Sequence, residues 1–220
     1  MDWTAIGVTL RLAALTTLLL AMIGLPLAWW LATTRRAWRP VVDAAVAVPL
    51  LLPPTVLGFY LLASTGPDTL VGRTYAALTG GTLPFSFGGV VVASVLYNLP
   101  FAVRPFAAAF AGIDPRLLEA ARCLGASRLR TFRDVVLPLA WPGVLSGLVL
   151  AFAHTVGEFG VVLMVGGNIP GVTRTVALAI YDDVQSLDYA AAHQASLALL
   201  VFAIAVLTLT YALQRRPAVV

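Results

Sequence analysis

The 220-residue sequence contains no lysine, a single cysteine and two histidines. Charged residues make up 11% of it, against about a quarter in a soluble globular domain. That scarcity excludes a water-soluble fold of this length. The missing lysine excludes a Gly-x-x-x-x-Gly-Lys phosphate loop, so any ATP hydrolysis belongs to another chain. The lone Cys123 forbids an intramolecular disulfide. His154 and His193 stand in different apolar segments with no acidic cluster beside them, which leaves no metal-binding constellation. Strict apolar alternation over about ten residues is absent, and with it the outer-membrane barrel.

What is present is apolar: 60% hydrophobic residues and a mean hydropathy of +0.93. Several runs approach or exceed the roughly 20 residues that a helix needs to cross a bilayer. The expectation is an all-α polytopic membrane protein, a single domain over residues 1–220, with about five transmembrane helices. The spans are read at about Trp3–Leu31, Val41–Ala63, Phe87–Phe110, Trp141–Val165 and Tyr189–Leu213. The first run is too long for a signal-peptide core and should remain as a membrane helix.

The pI of about 9.7 invites a nucleic-acid reading, but the positions of the arginines argue against it. They gather as Arg35, Arg36 and Arg39, then Arg116, Arg122, Arg128, Arg130 and Arg133, then Arg215 and Arg216. Only Arg73 and Arg174 fall in the two alternate loops, 66–84 and 166–188. Orientation by cytoplasmic positive charge then puts the N-terminus outside and the C-terminus in the cytoplasm. Lipid is the partner this pattern demands, and nucleic acid is not expected. Pro49, Pro53 and Pro54 interrupt the second span, and Pro100 and Pro105 the third. Proline inside a helix removes a hydrogen bond and kinks the axis, either as a packing irregularity or because these helices bend around a pathway and help to gate it.

The cytoplasmic segment 112–138 is the most specific feature of the chain. Asp114-Pro115 reads as an N-cap followed by proline at the first helical position. A short helix should run from Arg116 to Leu124 and end at Gly125. Ser127 should cap a second helix through about Val136, closed by Pro138. Leu117, Leu118 and Leu124 supply an apolar face, and Ala120 and Ala121 keep the surface slim. An amphipathic helix lying on anionic lipid would explain the arginines, but not the Gly125 turn with the Leu137-Pro138 exit.

Glu119-Ala120-Ala121, then Gly125, then Leu137-Pro138 resembles the coupling segment of ABC importer permeases. The wider resemblance runs from about the second span to the end of the chain. It implies a type I importer permease fold in which Glu119, Ala120, Ala121, Gly125, Leu137 and Pro138 form an elbow seated on a cytoplasmic ATPase. Gly157-Glu158-Phe159-Gly160 is shared with sulfate permeases. Its continuation through Val165 to Gly171, then Thr173-Arg174-Thr175 and Ala177, Ile180 and Tyr181, is similar to the molybdate/tungstate branch of the oxyanion permeases. The partners implied are a second permease copy, an ABC ATPase dimer that binds ATP and Mg, and a periplasmic or lipid-anchored oxyanion-binding protein. No cofactor is expected on this chain. The setting implied is a bacterial or archaeal cytoplasmic membrane.

Four intramembrane polar residues are candidates for a gate or for polar packing: Asn98, Arg104, His154 and Glu158. A bare carboxylate would repel a dianion, so Glu158 should be protonated, paired with His154, or bonded to another helix rather than lining the pore. Arg11 is a further possible partner for Glu158, or snorkels to the outer surface; Arg104 should snorkel to the inner one. Asn98 should satisfy the kinked backbone near Pro100. Two other functions stay open: a sulfate or thiosulfate permease, and an intramembrane enzyme using His154 and Glu158 as an acid–base pair. An enzyme has no need of the elbow.

Overall fold

The computed structural model describes residues 2–214; Arg215 and Arg216 lie outside the described residues. The described chain is helical, in the order α1 (Trp3–Thr33), α2 (Arg39–Leu51), α3 (Pro54–Thr65), α4 (Leu70–Thr79), α5 (Phe87–Ala111), α6 (Pro115–Cys123), α7 (Arg128–Thr131), a π-helical turn (Phe132–Val136), α8 (Leu137–Val156), α9 (Gly160–Gly166), α10 (Val176–Gln185) and α11 (Tyr189–Gln214). Four continuous stretches are long and apolar enough to cross a membrane: α1, α5, Arg128–Val156 and Tyr189–Ala212. The pair α2 and α3, bent by 113° at Leu52–Pro53, is apolar enough to make a fifth if it is counted as one broken span.

The core is a three-helix seam of α1, α5 and α8. Leu20, Ala28, Val103, Phe106, Val144 and Ala151 are buried in it. Within lipid, apolar side chains gain nothing by leaving the solvent, so close backbone approach carries much of the packing. Gly147 is such a point: a Cβ there would lie 2.7 Å from the Phe106 ring. The outward aliphatic side chains of α11, among them Leu200, Val201 and Ile204, are exposed, as lipid-facing positions should be.

Three expectations need correcting. The fourth span is not continuous to Val165: the helix ends at Val156, and Gly157, Glu158 and Phe159 break it before α9 begins. Pro138 does not close a helix. Arg128–Val156 runs on through it, because the preceding turn widens and the Leu137 N–H reaches back to the Phe132 carbonyl. A π turn of this kind accommodates a proline ring inside a continuous helix. The two alternate loops are not bare connections either; they hold α4 and α10.

Candidate functional site

Two regions concentrate polar chemistry: the elbow at one end of the bundle and a break within it. The elbow follows from local stereochemistry. Asp114 caps α6 by accepting from the Arg116 N–H at 2.9 Å, with Pro115 at the first helical position. Gly125 ends it with φ +76°. The Gly125 N–H donates to Arg122 at 2.9 Å and the Ala126 N–H to Ala121 at 3.0 Å, the paired bonds of a Schellman cap. Ser127 then accepts from the Arg130 N–H at 3.3 Å and starts α7.

Three aromatic rings fasten this elbow to the bundle. Trp29 of α1 lies 5.4 Å from Phe110 of α5 and 5.5 Å from Phe132 of the π turn, and Phe110 and Phe132 are 5.9 Å apart. Edge-on aromatic contacts in this range add to area burial. The elbow is therefore joined to the ends of α1, α5 and α8 together, and Leu118 packs inward on the same cluster. Glu119, Ala120, Gly125 and Pro138 are exposed, and Leu137 is partly covered. Ala121 is buried against its own chain, so it spaces the elbow from the bundle rather than slimming an outer surface. Of the expected apolar face, Leu118 turns inward, whereas Leu117 and Leu124, seven residues apart, are both exposed. Leu124 is 88% and Leu129 77% exposed, two apolar knobs among arginines; Leu129 has no motif to mark it, and only its place beside the Ser127 cap points to it.

The second region lies where two broken helices meet. Gly160, at the start of α9, faces Pro54, at the start of α3: a Cβ on Gly160 would lie 2.9 Å from the Pro54 Cβ. An open cavity at this junction is lined by Pro54, Thr55, Tyr97, Ala153, His154, Gly157, Glu158, Phe159 and Gly160. Asn98 of α5 stands behind its wall and is fully buried. Its Nδ2 donates to the Ser94 carbonyl at 2.8 Å and to Glu158 Oε2 at 2.8 Å. Its Oδ1 faces His154 Nδ1 at 2.8 Å. The His154 ring stacks on Phe101, with centroids 3.8 Å apart.

Asn98, His154 and Glu158 are thus brought together, and Glu158 is bonded to another helix. Direct pairing of Glu158 with His154 does not occur; Asn98 bridges them. Asn98 bonds the Ser94 carbonyl, which neither Pro100 nor Pro105 frees, so it ties α5 to the break instead of repairing a kink. Glu158 is only 3% exposed yet contributes to the cavity wall. Arg104 is not part of this group: it is exposed. Arg11 is exposed as well, and among the described residues neither arginine makes an ion pair. The proposed Arg11–Glu158 pair is not formed, because Arg11 points away from the packed face of α1.

At the opposite end from the elbow, a polar cluster absent from the sequence reading fixes the loop after α9. Arg174 Nη2 lies 2.9 Å from Asp182 Oδ2, and Arg174 Nε 3.9 Å from Asp2. Asn168, with φ +62°, donates to both oxygens of Asp182 at 2.9 and 2.8 Å. Asp2 also caps α1, and the Val176 N–H donates to Thr9 of α1 at 2.9 Å. The available signal was an arginine and an asparagine in a loop that also carries Asp182, Asp183 and Asp188.

Comparison with known proteins gives a consistent picture. Residues 8–219 match the family model described as "Binding-protein-dependent transport system inner membrane component". The chain is 53% identical over 214 residues to the molybdenum transport system permease protein ModB of Azotobacter vinelandii, covering 97% of this chain and 95% of that one. It is 38% identical over 185 residues to ModB of Escherichia coli K12, covering 84% and 81%. Relatives named as probable sulfate permeases match at 30 and 32% identity. Among solved structures, a bacterial alginate ABC transporter in complex with an alginate pentasaccharide-bound periplasmic protein superposes with a TM-score of 0.76 at 21% identity, covering 97% of this chain and 78% of the other.

Proposed function

The chain belongs to the family of inner-membrane components of binding-protein-dependent transport systems, and from that premise we propose that it is the permease subunit of an ATP-driven importer of molybdate. It has the type I ABC importer permease fold. The observation that carries the substrate is identity of 53% along nearly the whole chain with a permease named for molybdenum transport. The sulfate-named relatives are more distant, and the Asn168-to-Arg174 run resembles the molybdate branch.

The elbow is the ATPase contact in this reading. Leu124 and Leu129 enter a cleft on the ATPase while the surrounding arginines hold its rim. Closure of two ATPases on nucleotide then moves two elbows. The ring cluster of Trp29, Phe110 and Phe132 passes that movement to three membrane helices at once. One chain offers one elbow and too few spans to enclose a path for a hydrated dianion, so two copies act about a two-fold axis. The arginine-rich elbow end faces the cytoplasm, and the Asp2–Arg174–Asp182 end faces the binding protein that delivers the oxyanion.

The test is uptake into vesicles holding this chain, its ATPase and its binding protein. ATP-dependent molybdate uptake, suppressed by tungstate and little affected by sulfate, is expected. Sulfate uptake that excess molybdate leaves unchanged would overturn the assignment.

A further inference from the structure

Resting on that reading, we propose that the cavity where α3 and α9 meet is a weak transit site for a tetrahedral oxyanion, with His154 Nε2 as its hydrogen-bond donor and with Asn98 and Glu158 as positioning residues.

The argument begins with the Asn98 amide. Its nitrogen faces two acceptors, the Ser94 carbonyl and Glu158 Oε2, each at 2.8 Å. The amide therefore cannot be turned over without placing an oxygen against both, and Oδ1 must face His154. At 2.8 Å from that oxygen, Nδ1 has to carry a hydrogen and donate it. The imidazole tautomer is thus set by its partner, as it is for histidines held by an outer hydrogen bond elsewhere. Phe101, stacked at 3.8 Å, fixes the plane of the ring.

With Nδ1 committed, Nε2 is the remaining polar atom of a side chain that lines the cavity, and it has no hydrogen-bond partner among the described residues. In the neutral ring it is a lone pair and repels an oxyanion. In the imidazolium it is a donor and attracts one. Donor and acceptor states of one atom thus distinguish a holding from a releasing site. Thr55 and Tyr97 line the same cavity, and the Glu158 carboxyl in its wall opposes a strongly held anion, so binding is weak enough to permit onward passage. Glu158 Oε2 can accept from Asn98 whether or not the carboxyl carries a proton, and the side chain is 3% exposed; its part is to lock the amide, not to meet the anion.

Tyr97 and Glu158 are the other titratable side chains of the cavity wall. Tyr97 of α5 has its ring centroid 5.5 Å from that of His154. The elements packed on α8 also carry Arg11 on α1, Arg104 on α5 and His193 on α11, none of them in the cavity wall. Arg133 and Asp134, on the π turn, pair with each other at the elbow end.

The chain has two histidines, so a His193→Gln background leaves His154 as its single imidazole. That chain, labelled with 15N-histidine and assembled with its unlabelled ATPase in lipid nanodiscs, is titrated with molybdate and separately with sulfate, to millimolar, between pH 6 and 8. Nδ1 should stay protonated throughout, and anion should convert Nε2 from bare to protonated at a pH where it is otherwise bare. Glu158→Gln should keep this signature, because an amide oxygen also accepts from Asn98; Glu158→Leu should lose the Nδ1–H lock. In parallel, His154→Gln should lower molybdate moved per ATP by about tenfold and flatten its dependence on pH. A bare Nδ1, an Nε2 signal that neither anion moves, or full transport by His154→Gln overturns the proposal while molybdate import stands. A response to sulfate alone, with sulfate as the transported ion, supports the site and removes molybdate as its substrate.

Discussion

Gly125 gives the cleanest perturbation of the elbow, because its cost is almost purely conformational. Its φ of +76° is left-handed, and nothing lies within 4 Å of a Cβ built there. A substitution therefore meets no neighbour, and what it pays is the penalty of an L-residue in that region, about 1–2 kcal/mol. Asparagine tolerates the conformation better than alanine, and a β-branched residue tolerates it worst. The elbow is a short, exposed helix, the kind of segment that opens locally at low cost. Strain of this size is comparable with what holds it closed. Apparent affinity for the ATPase falls with the fraction of elbows still folded, at most about 5- to 30-fold for 1–2 kcal/mol. The expected order of ATPase retained on purified membranes is glycine, then asparagine, then alanine, then valine, with membrane insertion equal in all four. If valine and asparagine retained the ATPase equally well, the turn would not be what presents the elbow.

Trp29→Ala removes the ring shared by α1, α5 and the π turn; the ATPase should still bind, while oxyanion moved per ATP falls. Gly147→Leu places a side chain where Cβ alone would lie 2.7 Å from the Phe106 ring, so the thermal midpoint in detergent should drop sharply and that of Gly147→Ala less. Asp182→Ala takes the acceptor from both Asn168 and Arg174, worth about 1–3 kcal/mol for charge-assisted bonds in a partly exposed site. Stimulation of ATP hydrolysis by the binding protein should weaken and basal hydrolysis should not, with protease sensitivity of the loop after α9 as the structural check. Glu158→Leu should impair both assembly and transport, and full retention of the two would contradict the role given to its contact with Asn98.

What could be read from the sequence divides along the range of the interactions involved. The ends of α1, α5 and α11 follow from apolar run length, because the bilayer imposes a length that hydropathy reports. The Asp114 and Ser127 caps and the Gly125 turn were legible for a different reason: each is satisfied by backbone groups within five residues of itself. Resemblance of the Glu119-to-Pro138 pattern to importer permeases implied a use for such a turn, as a seat on an ATPase. The break at Gly157–Phe159 was not legible by hydropathy, which sees Trp141 to Val165 as one apolar stretch. Its signal was a carboxylate flanked by glycines in the middle of that stretch. Pro138 misled because proline usually stops a helix, and only the wide turn before it, formed while Phe132 packs against Trp29 and Phe110, lets the helix continue. Contacts that join residues far apart in the chain, Asn98 to Glu158 and Asp2 to Arg174, left no local mark. The first of them holds irregular backbone in place inside the membrane, where an unsatisfied polar group is costly. A broken helix in lipid is therefore specified by its distant partners: Gly160 lets the Pro54 ring approach the start of α9, and the buried amide of Asn98, by holding Glu158, fixes where the break is kept.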